Sequence, residues 1–346
     1  EDRTNKRSYD LPAVTLFIPA YNEEKVIAEK ISNSLALDYP KDKLEIVVAS
    51  DASTDSTEEE VKKFKDDRVK FFKSVKRGGK NSIINEFLGL CKGEIIIFTD
   101  ANCLFQKDAL KFLIERFFDS KVGLVVGRLK YVDEKSSVGK GEGLYFKYES
   151  MIKKMESSFG TLVAATGSIY AVRKNLISTL DLDVANDLAH PIQIASQGYK
   201  IVFEERAVAI EKATISAREE FNRRARIVTR GMTAFIRYWR KYGMLKGMWG
   251  FCFISHKLIR WFIPFFLIAL FILNIFLDSL IYNIFFTVQC AFYILSLCGF
   301  FFRKRVGKLF SIPFYFVLIN LAAMSGILSY LFGKRQSLWN VAETTR

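Results

Sequence analysis

Along the first 258 residues, short apolar runs alternate with stretches in which apolar and charged positions mix at helical spacing. The runs at 14–18 (VTLFI), 44–49 (LEIVVA), 69–72 (VKFF) and 94–99 (EIIIFT) are rich in β-branched and aromatic residues and read as strands. Between them, amphipathic stretches near 23–35, 55–66, 80–91 and 107–118 read as helices. Strand, helix, strand in this rhythm predicts an α/β domain around a parallel sheet. After residue 258 the pattern changes. Three long apolar segments follow, Trp261 to Leu277, Leu280 to Phe302 and Leu309 to Phe332. Each approaches the roughly 20 residues needed to cross a hydrocarbon core.

The pattern divides the chain into a domain at 1–240, an amphipathic interface segment at 241–258, three membrane helices within 259–332 and a tail at 333–346. From Tyr238 to Lys257, aromatics (Trp239, Tyr242, Trp249, Phe251) interleave with cations, as in a helix lying in the membrane interface. Orientation follows from Lys and Arg. Arg260 precedes the first span, and Arg303, Lys304, Arg305 and Lys308 join the second to the third, so both places are expected in the cytoplasm, with the large domain. Three crossings then put Lys334 and Arg335 outside. Either the tail is external or one segment does not span fully. The polar stretch Glu1 to Asp10 has no apolar core of a signal peptide, and a membrane helix upstream of it stays open.

Charge and cysteine content refine this reading. The 346 residues carry a net charge of +14, which would suit nucleic acid. Much of it, however, lies at Arg237, Arg240, Lys241, Lys246, Lys257 and Arg260, beside the expected membrane. There each cation gains on the order of 1 kcal/mol from anionic lipid. A bilayer, not nucleic acid, is the expected partner. Five cysteines without metal-type spacing (Cys91, Cys103, Cys252, Cys290, Cys298) read as reduced core filler.

Ligands of parallel sheets bind beyond the carboxyl ends of the strands. The four runs end in PAYNEE (19–24), SDASTDST (50–57), KRGGKN (76–81) and DAN (100–102). Singly these are turns and helix caps. Together they put two carboxylates, Asp51 and Asp100, and two cations, Arg77 and Lys80 beside Gly78 and Gly79, on one sheet edge. Cations at a Gly-Gly turn suit a diphosphate, and strand-end carboxylates suit a base, a ribose or a divalent metal. A nucleotide diphosphate with its metal would use all four. No GxxxxGK[ST] loop is present, and no GxGxxG follows the first strand.

In order, FIPAYNEE, VVASDASTDST, RGGKNSIIN, FTDAN, ATGSIYAVRK, ANDLAHPIQIASQGYKIVFEE and EEFNRRARIVTRG resemble the family 2 glycosyltransferases with the GT-A fold. The likeness is to membrane-integrated members akin to hyaluronan, chitin and cellulose synthases, and it runs from about residue 13 to the last apolar segment. It implies that Tyr21, Glu23 and Asp51 hold a uridine, that Lys80 reaches the nucleotide, and that Asp100 is the first acid of a DxD element binding Mg²⁺ or Mn²⁺. The second acid is replaced by Asn102, an uncharged ligand or simply a helix cap. Such an amide should tolerate change to Asp.

Asp187 stands at the family's catalytic base, with Asn186 in place of its acidic partner. A general base gives roughly 10²- to 10⁴-fold. The alternative is that Asp187 caps the helix that follows, on which His190 is expected to pack rather than bind metal. Arg223, Arg224 and Arg226 fall at the QxxRW element of processive members, but Arg223 replaces its glutamine and Ile227 its tryptophan. The arginines could neutralise a departing diphosphate, or form a solvated helix face. Thr166 and Gly167 would line the acceptor pocket, Gly167 for close backbone approach, unless they form a plain turn.

The resemblance thus implies a membrane-bound inverting glycosyltransferase that moves a sugar from a nucleotide-diphosphate sugar, expected to be a UDP-sugar, to a glycan or lipid-linked acceptor, and it admits an oligomer. A polyprenyl-phosphate sugar transferase and a non-catalytic nucleotide- or lipid-binding module are the alternatives.

Overall fold

The structure, a computed structural model, describes residues 10–132, 137–213, 216–243, 247–301, 307–334 and 338. Lys246, Arg303, Lys304, Arg305 and Arg335, on which part of the membrane argument rests, lie outside the described residues, as do 1–9.

The four predicted strands form as β1 (Val14–Ala20), β2 (Leu44–Ser50), β3 (Val69–Lys73) and β4 (Ile95–Phe98). Their helices are shorter than the pattern suggested: α1 (Ile27–Leu35), α2 (Thr57–Lys62), α3 (Lys80–Phe87) and, after the two-residue β5 (Leu104–Phe105), α4 (Ala109–Glu115). Every residue of β1 and β4 is buried, which is why these runs are apolar throughout rather than alternating. The rest of the domain is β6 (Val122–Val132), α5 (Ser137–Ser158), β7 (Tyr170–Arg173), α6 (Asn186–Ser196), β8 (Lys200–Lys212) and α7 (Ala217–Tyr242).

The eight strands make one sheet in the order β3-β2-β1-β4-β7-β6-β8-β5. Parallel pairing holds from β3 to β4, but β7 runs antiparallel to β4 and β6, and β5 to β8. The sheet is therefore mixed, not parallel throughout. The chain steps from β1 outward to β2 and β3 and then crosses back to β4 on the other side of β1, so a crevice opens beyond the carboxyl ends of β1 and β4.

The long α7 is capped by Ser216, whose hydroxyl accepts from the Glu219 amide, and stops at Gly243, at φ 64. It thus runs past the boundary expected at 240. The expected interface segment is not separate either: α8 (Gly247–Phe253) continues through a π-helical turn, Ile254–Leu258, into α9 (Ile259–Phe276), giving one apolar helix of 30 residues. With α10 (Leu280–Phe301) and α11 (Lys308–Leu331), three helices are long and apolar enough to cross a membrane.

They differ in what covers them. Large side chains on α9 and α10, such as Phe266, Phe276, Leu280 and Phe301, are exposed, a surface that water would penalise and lipid would not. In contrast, α11 packs along α7. Gly326 allows this, since a Cβ there would stand 2.6 Å from the Ala225 carbonyl oxygen and 2.8 Å from Val228 Cβ. Gly326→Ala should push the helices apart and cost about 1–3 kcal/mol, read as a lower unfolding temperature of the purified protein. An unchanged temperature would mean that the seam is not tightly packed.

Candidate active site

The crevice beyond β1 and β4 deepens into a cavity of about 340 Å³, bounded by the domain on one side and α7 and α9 on the other. The predicted Glu23, Lys80, Asp100, Asn102, Thr166, Gly167, Asp187, Arg223, Arg224 and Arg226 all line it.

Tyr21 and Asp51, expected to hold the uridine, are not among its lining residues. Asp51 is fully buried and accepts hydrogen bonds from the amides of Gly78 (2.7 Å) and Gly79 (3.0 Å). Its carboxylate fixes the glycine turn, where Gly79 has φ 93, a conformation that a side chain would strain. The Tyr21 ring is covered by the Arg77 guanidinium, 3.8 Å above its centre. These residues shape the rim of the crevice.

Asp100 is held from three sides. Lys80 Nζ lies 2.7 Å from one oxygen, and Ser168 Oγ donates to the other at 3.1 Å. Beneath the turn, the buried Lys30 amine donates to Thr99 Oγ1 (2.9 Å) and the Cys103 carbonyl (2.5 Å). Burial pushes that amine down to about 8. Lys30 thus pins the 99–103 turn from the helix side. The pairing with Lys80 shows what this lysine does in the structure: it neutralises the acid rather than standing free.

Asn102 does not cap the helix that follows, whose N-cap is Asp108. Its amide donates to Glu211 Oε1 at 3.0 Å, and Ser168 Oγ lies 3.3 Å from the other Glu211 oxygen. Glu211, at the end of β8, brings a second carboxylate to where the DxD pattern lacks one. Among the described residues no three His, Cys, Asp or Glu side chains cluster closely enough to enclose a metal. Two carboxylates and an amide oxygen nevertheless fit a hard divalent cation that takes its remaining ligands from a diphosphate and water.

Asn102→Asp would set a like charge against Glu211. We expect it to lower the unfolding temperature in chelator and to tighten Mn²⁺ binding about tenfold in calorimetry with nucleotide present. Unchanged Mn²⁺ affinity would mean that no ion sits there.

Asp187 lies in the first turn of α6, where the helix N-terminus favours its charge. Its backbone carbonyl accepts from the Ala165 amide at 2.7 Å, tying it to the 165–168 turn. A Cβ on Gly167 would stand 3.8 Å from Asp187 Oδ2, an ordinary contact. No neighbouring protein atom therefore requires a glycine at this position. Asn186 points its amide to the Tyr170 hydroxyl (2.8 Å), which meets His190 Nδ1 at 3.0 Å. That buried pair supports α6 against β7, and burial pushes the His190 ring down to about 3. Thus Asn186 is a packing residue here, and His190 a neutral one.

The arginines are not a solvated face. Glu220, fully buried, takes Arg223 (2.6 Å) and Arg224 (2.8 Å), and Arg224 also donates to the Tyr315 hydroxyl on α11 at 3.0 Å. Burial, with Arg230 and Arg223 nearby, pushes Arg226 down to about 10, so its charge would be stabilised by an anion entering the cavity.

Sequence reasoning missed Glu211, Ser168, Lys153, Glu149, Arg230 and Trp261 on this wall. Only Glu211 carried a signal, as an acid ending an apolar strand.

The profile of glycosyl transferase family 2 matches residues 15–179. The Bacillus subtilis (strain 168) protein named "Probable glycosyltransferase YdaM" is 26% identical over 288 residues, 78% of this chain and 68% of that protein. The poly-beta-1,6-N-acetyl-D-glucosamine synthase of Staphylococcus aureus (strain COL) is 27% identical over 206 residues, 58% of this chain. The matched region is 50% of that synthase's length.

Among solved structures, mannosyltransferase PcManGT from Pyrobaculum calidifontis, in complex with GDP-Man and Mn²⁺, superposes with a TM-score of 0.72 at 23% identity, over 95% of this chain and 89% of that one. GalNAc-T7 with UDP, GalNAc and Mn²⁺ superposes at 0.51 with 16% identity, over 68% of this chain and 50% of that one. Residues 15–179 thus match the glycosyl transferase family 2 model, and the mixed α/β sheet domain shares the GT-A-like fold of these structures, followed by helices apolar and long enough to cross a membrane.

Proposed function

We propose that this chain is a membrane-bound, inverting, metal-dependent glycosyltransferase that moves a sugar from a nucleotide-diphosphate sugar, a UDP-sugar, to a hydroxyl of a glycan or lipid-linked acceptor. The observation that carries this is the turn at 167–168. Ser168 touches Asp100 and Gly167 adjoins Asp187, so one turn spaces the diphosphate-side acid from the base.

In this reading the donor diphosphate lies against Lys80 and Arg226, beside Asp100 and Glu211. A divalent cation bound by Asp100, Glu211 and Asn102 would offset charge on the leaving diphosphate. That neighbours of this fold were solved with Mn²⁺ and nucleotide supports a divalent cation here. Asp187 takes the acceptor's proton as its oxygen attacks the anomeric carbon from the face opposite the diphosphate. The carbon–phosphate oxygen bond breaks with its electron pair, and the buried arginines stabilise the departing charge.

The test is release of nucleoside diphosphate from a panel of UDP- and GDP-sugars by the full chain in lipid, with Mn²⁺, Mg²⁺ or chelator. Metal-dependent release from one UDP-sugar supports the reading. Binding of nucleotide without turnover of any donor, with every acceptor tried, would favour a non-catalytic module.

A further inference from the structure

Lys153 on α5 is fully enclosed by protein yet forms part of the cavity wall. Its amine donates to Thr166 Oγ1 at 2.5 Å. Among the described residues no carboxylate stands within ion-pair distance of it, and two of its three N–H donors are left for a ligand.

On its own helix, Glu149 is already taken by Lys257 (2.8 Å), Arg260 (2.7 Å) and His256 (3.2 Å), and Glu156 by His256 (2.7 Å). Burial pushes the Glu149 carboxyl up, but Lys257, Arg260 and the hydrogen bond from His256 hold it well below the usual range. Burial pushes the Lys153 amine down to about 8. A buried amine that faces a cavity with no carboxylate in ion-pair contact is stabilised by an anion that the ligand brings.

Position identifies which part of the ligand that is. Lys257, Arg260 and Trp261 belong to the start of the first apolar helix, so this is the membrane end of the cavity. The donor end, at Asp100, has its own cations in Lys80 and Arg226. Asp187 lies between, since along one turn Thr166 holds Lys153, Ala165 and Gly167 adjoin Asp187, and Ser168 touches Asp100. An anion at Lys153 is therefore on the acceptor's side of the base.

The geometry points to an acceptor that is a lipid-linked sugar phosphate: its attacking hydroxyl sits at Asp187 and the phosphate joining that sugar to the lipid sits at Lys153. This rests on the function proposed above and narrows its acceptor. In the step, the hydroxyl proton goes to Asp187 and the electron pair of the broken bond leaves with the donor's diphosphate, while the lipid phosphate is unchanged. A free lipid monophosphate would attack through its own ionised oxygen and would not need the base.

The experiment is equilibrium binding of two probes to the full chain in nanodiscs, phytanyl phosphoglucose and phytanyl glucoside, which differ only in the phosphate. The native chain should bind the phosphate probe at least about tenfold more tightly, as expected for a charge-assisted hydrogen bond. Lys153→Met should abolish that preference and leave UDP affinity within about twofold, which also shows the variant is folded. Lys153→Arg should keep part of the preference.

Equal binding of both probes by the native chain would overturn the inference, as would a Lys153→Met loss of UDP affinity as large as the loss of lipid. So would inorganic phosphate binding at Lys153 without displacing the phosphate probe. Because the readout is binding, it stands even where donor turnover, and with it the proposed function, fails.

Discussion

Asp187→Asn should lower the turnover of sugar transfer by roughly 10²- to 10⁴-fold, the range for loss of a general base, while the affinity for nucleotide stays within about twofold. Asparagine keeps the shape and can hold the helix-start position, so the α6 fold and the Ala165 contact, which uses the Asp187 backbone, should persist. What is lost is an oxygen able to take a proton. The split between turnover and binding separates this from a structural role: a residue that only steadied the first turn of α6, whose N-cap is Ala185, would change stability and affect both quantities modestly. Transient kinetics of diphosphate release together with nucleotide titration measure the two. Equal turnover in both proteins would leave Asp187 only that structural role.

The second large effect is on stability. Glu220→Gln should destabilise the protein by about 3–5 kcal/mol, because it leaves Arg223 and Arg224 buried around a neutral group. The same carboxylate accepts from the Tyr315 hydroxyl at 2.9 Å, so α7 and α11 should loosen together. Burial pushes the Glu220 carboxyl up, but Arg223 and Arg224 hold it lower, at about 2. A carboxyl depressed in the folded state contributes stability above its unfolded value near 4.5 and loses it as pH falls toward about 2. Thermal unfolding of the native protein should therefore weaken over that window, and the Glu220→Gln variant should show a smaller decline. Identical pH profiles would mean that another acid dominates.

How legible this was from sequence depends on the distance over which each feature is encoded. Apolar runs ending in acids or amides are local, so Asp100, Asn102 and the glycine turn could be read, as could the apolar helices. The antiparallel insertion of β7 between β4 and β6 could not. That pairing matches residues such as Phe98 and Tyr170, which no local pattern links. Asp51 could be read as a strand-end acid, but not its partners. Its burial follows from where the 78–79 turn folds back, 27 residues on. Glu211 meets Asn102 across 109 positions. Lys153 and Glu149 sit in a charged helix, and packing of α5 against α11, β8 and β6, with Lys257 and Arg260 from the start of the apolar helix, encloses them. In each case the residue's chemistry was visible and its neighbour was not.

The most direct test of a single in-line displacement is the anomeric configuration of the transferred sugar, measured by NMR on product made from an α-linked UDP-sugar. A β-linkage is the predicted result, with the acceptor oxygen entering opposite the leaving diphosphate while Asp187 takes its proton. An α-linkage would contradict the account, since retention requires either a covalent intermediate or attack from the leaving-group face.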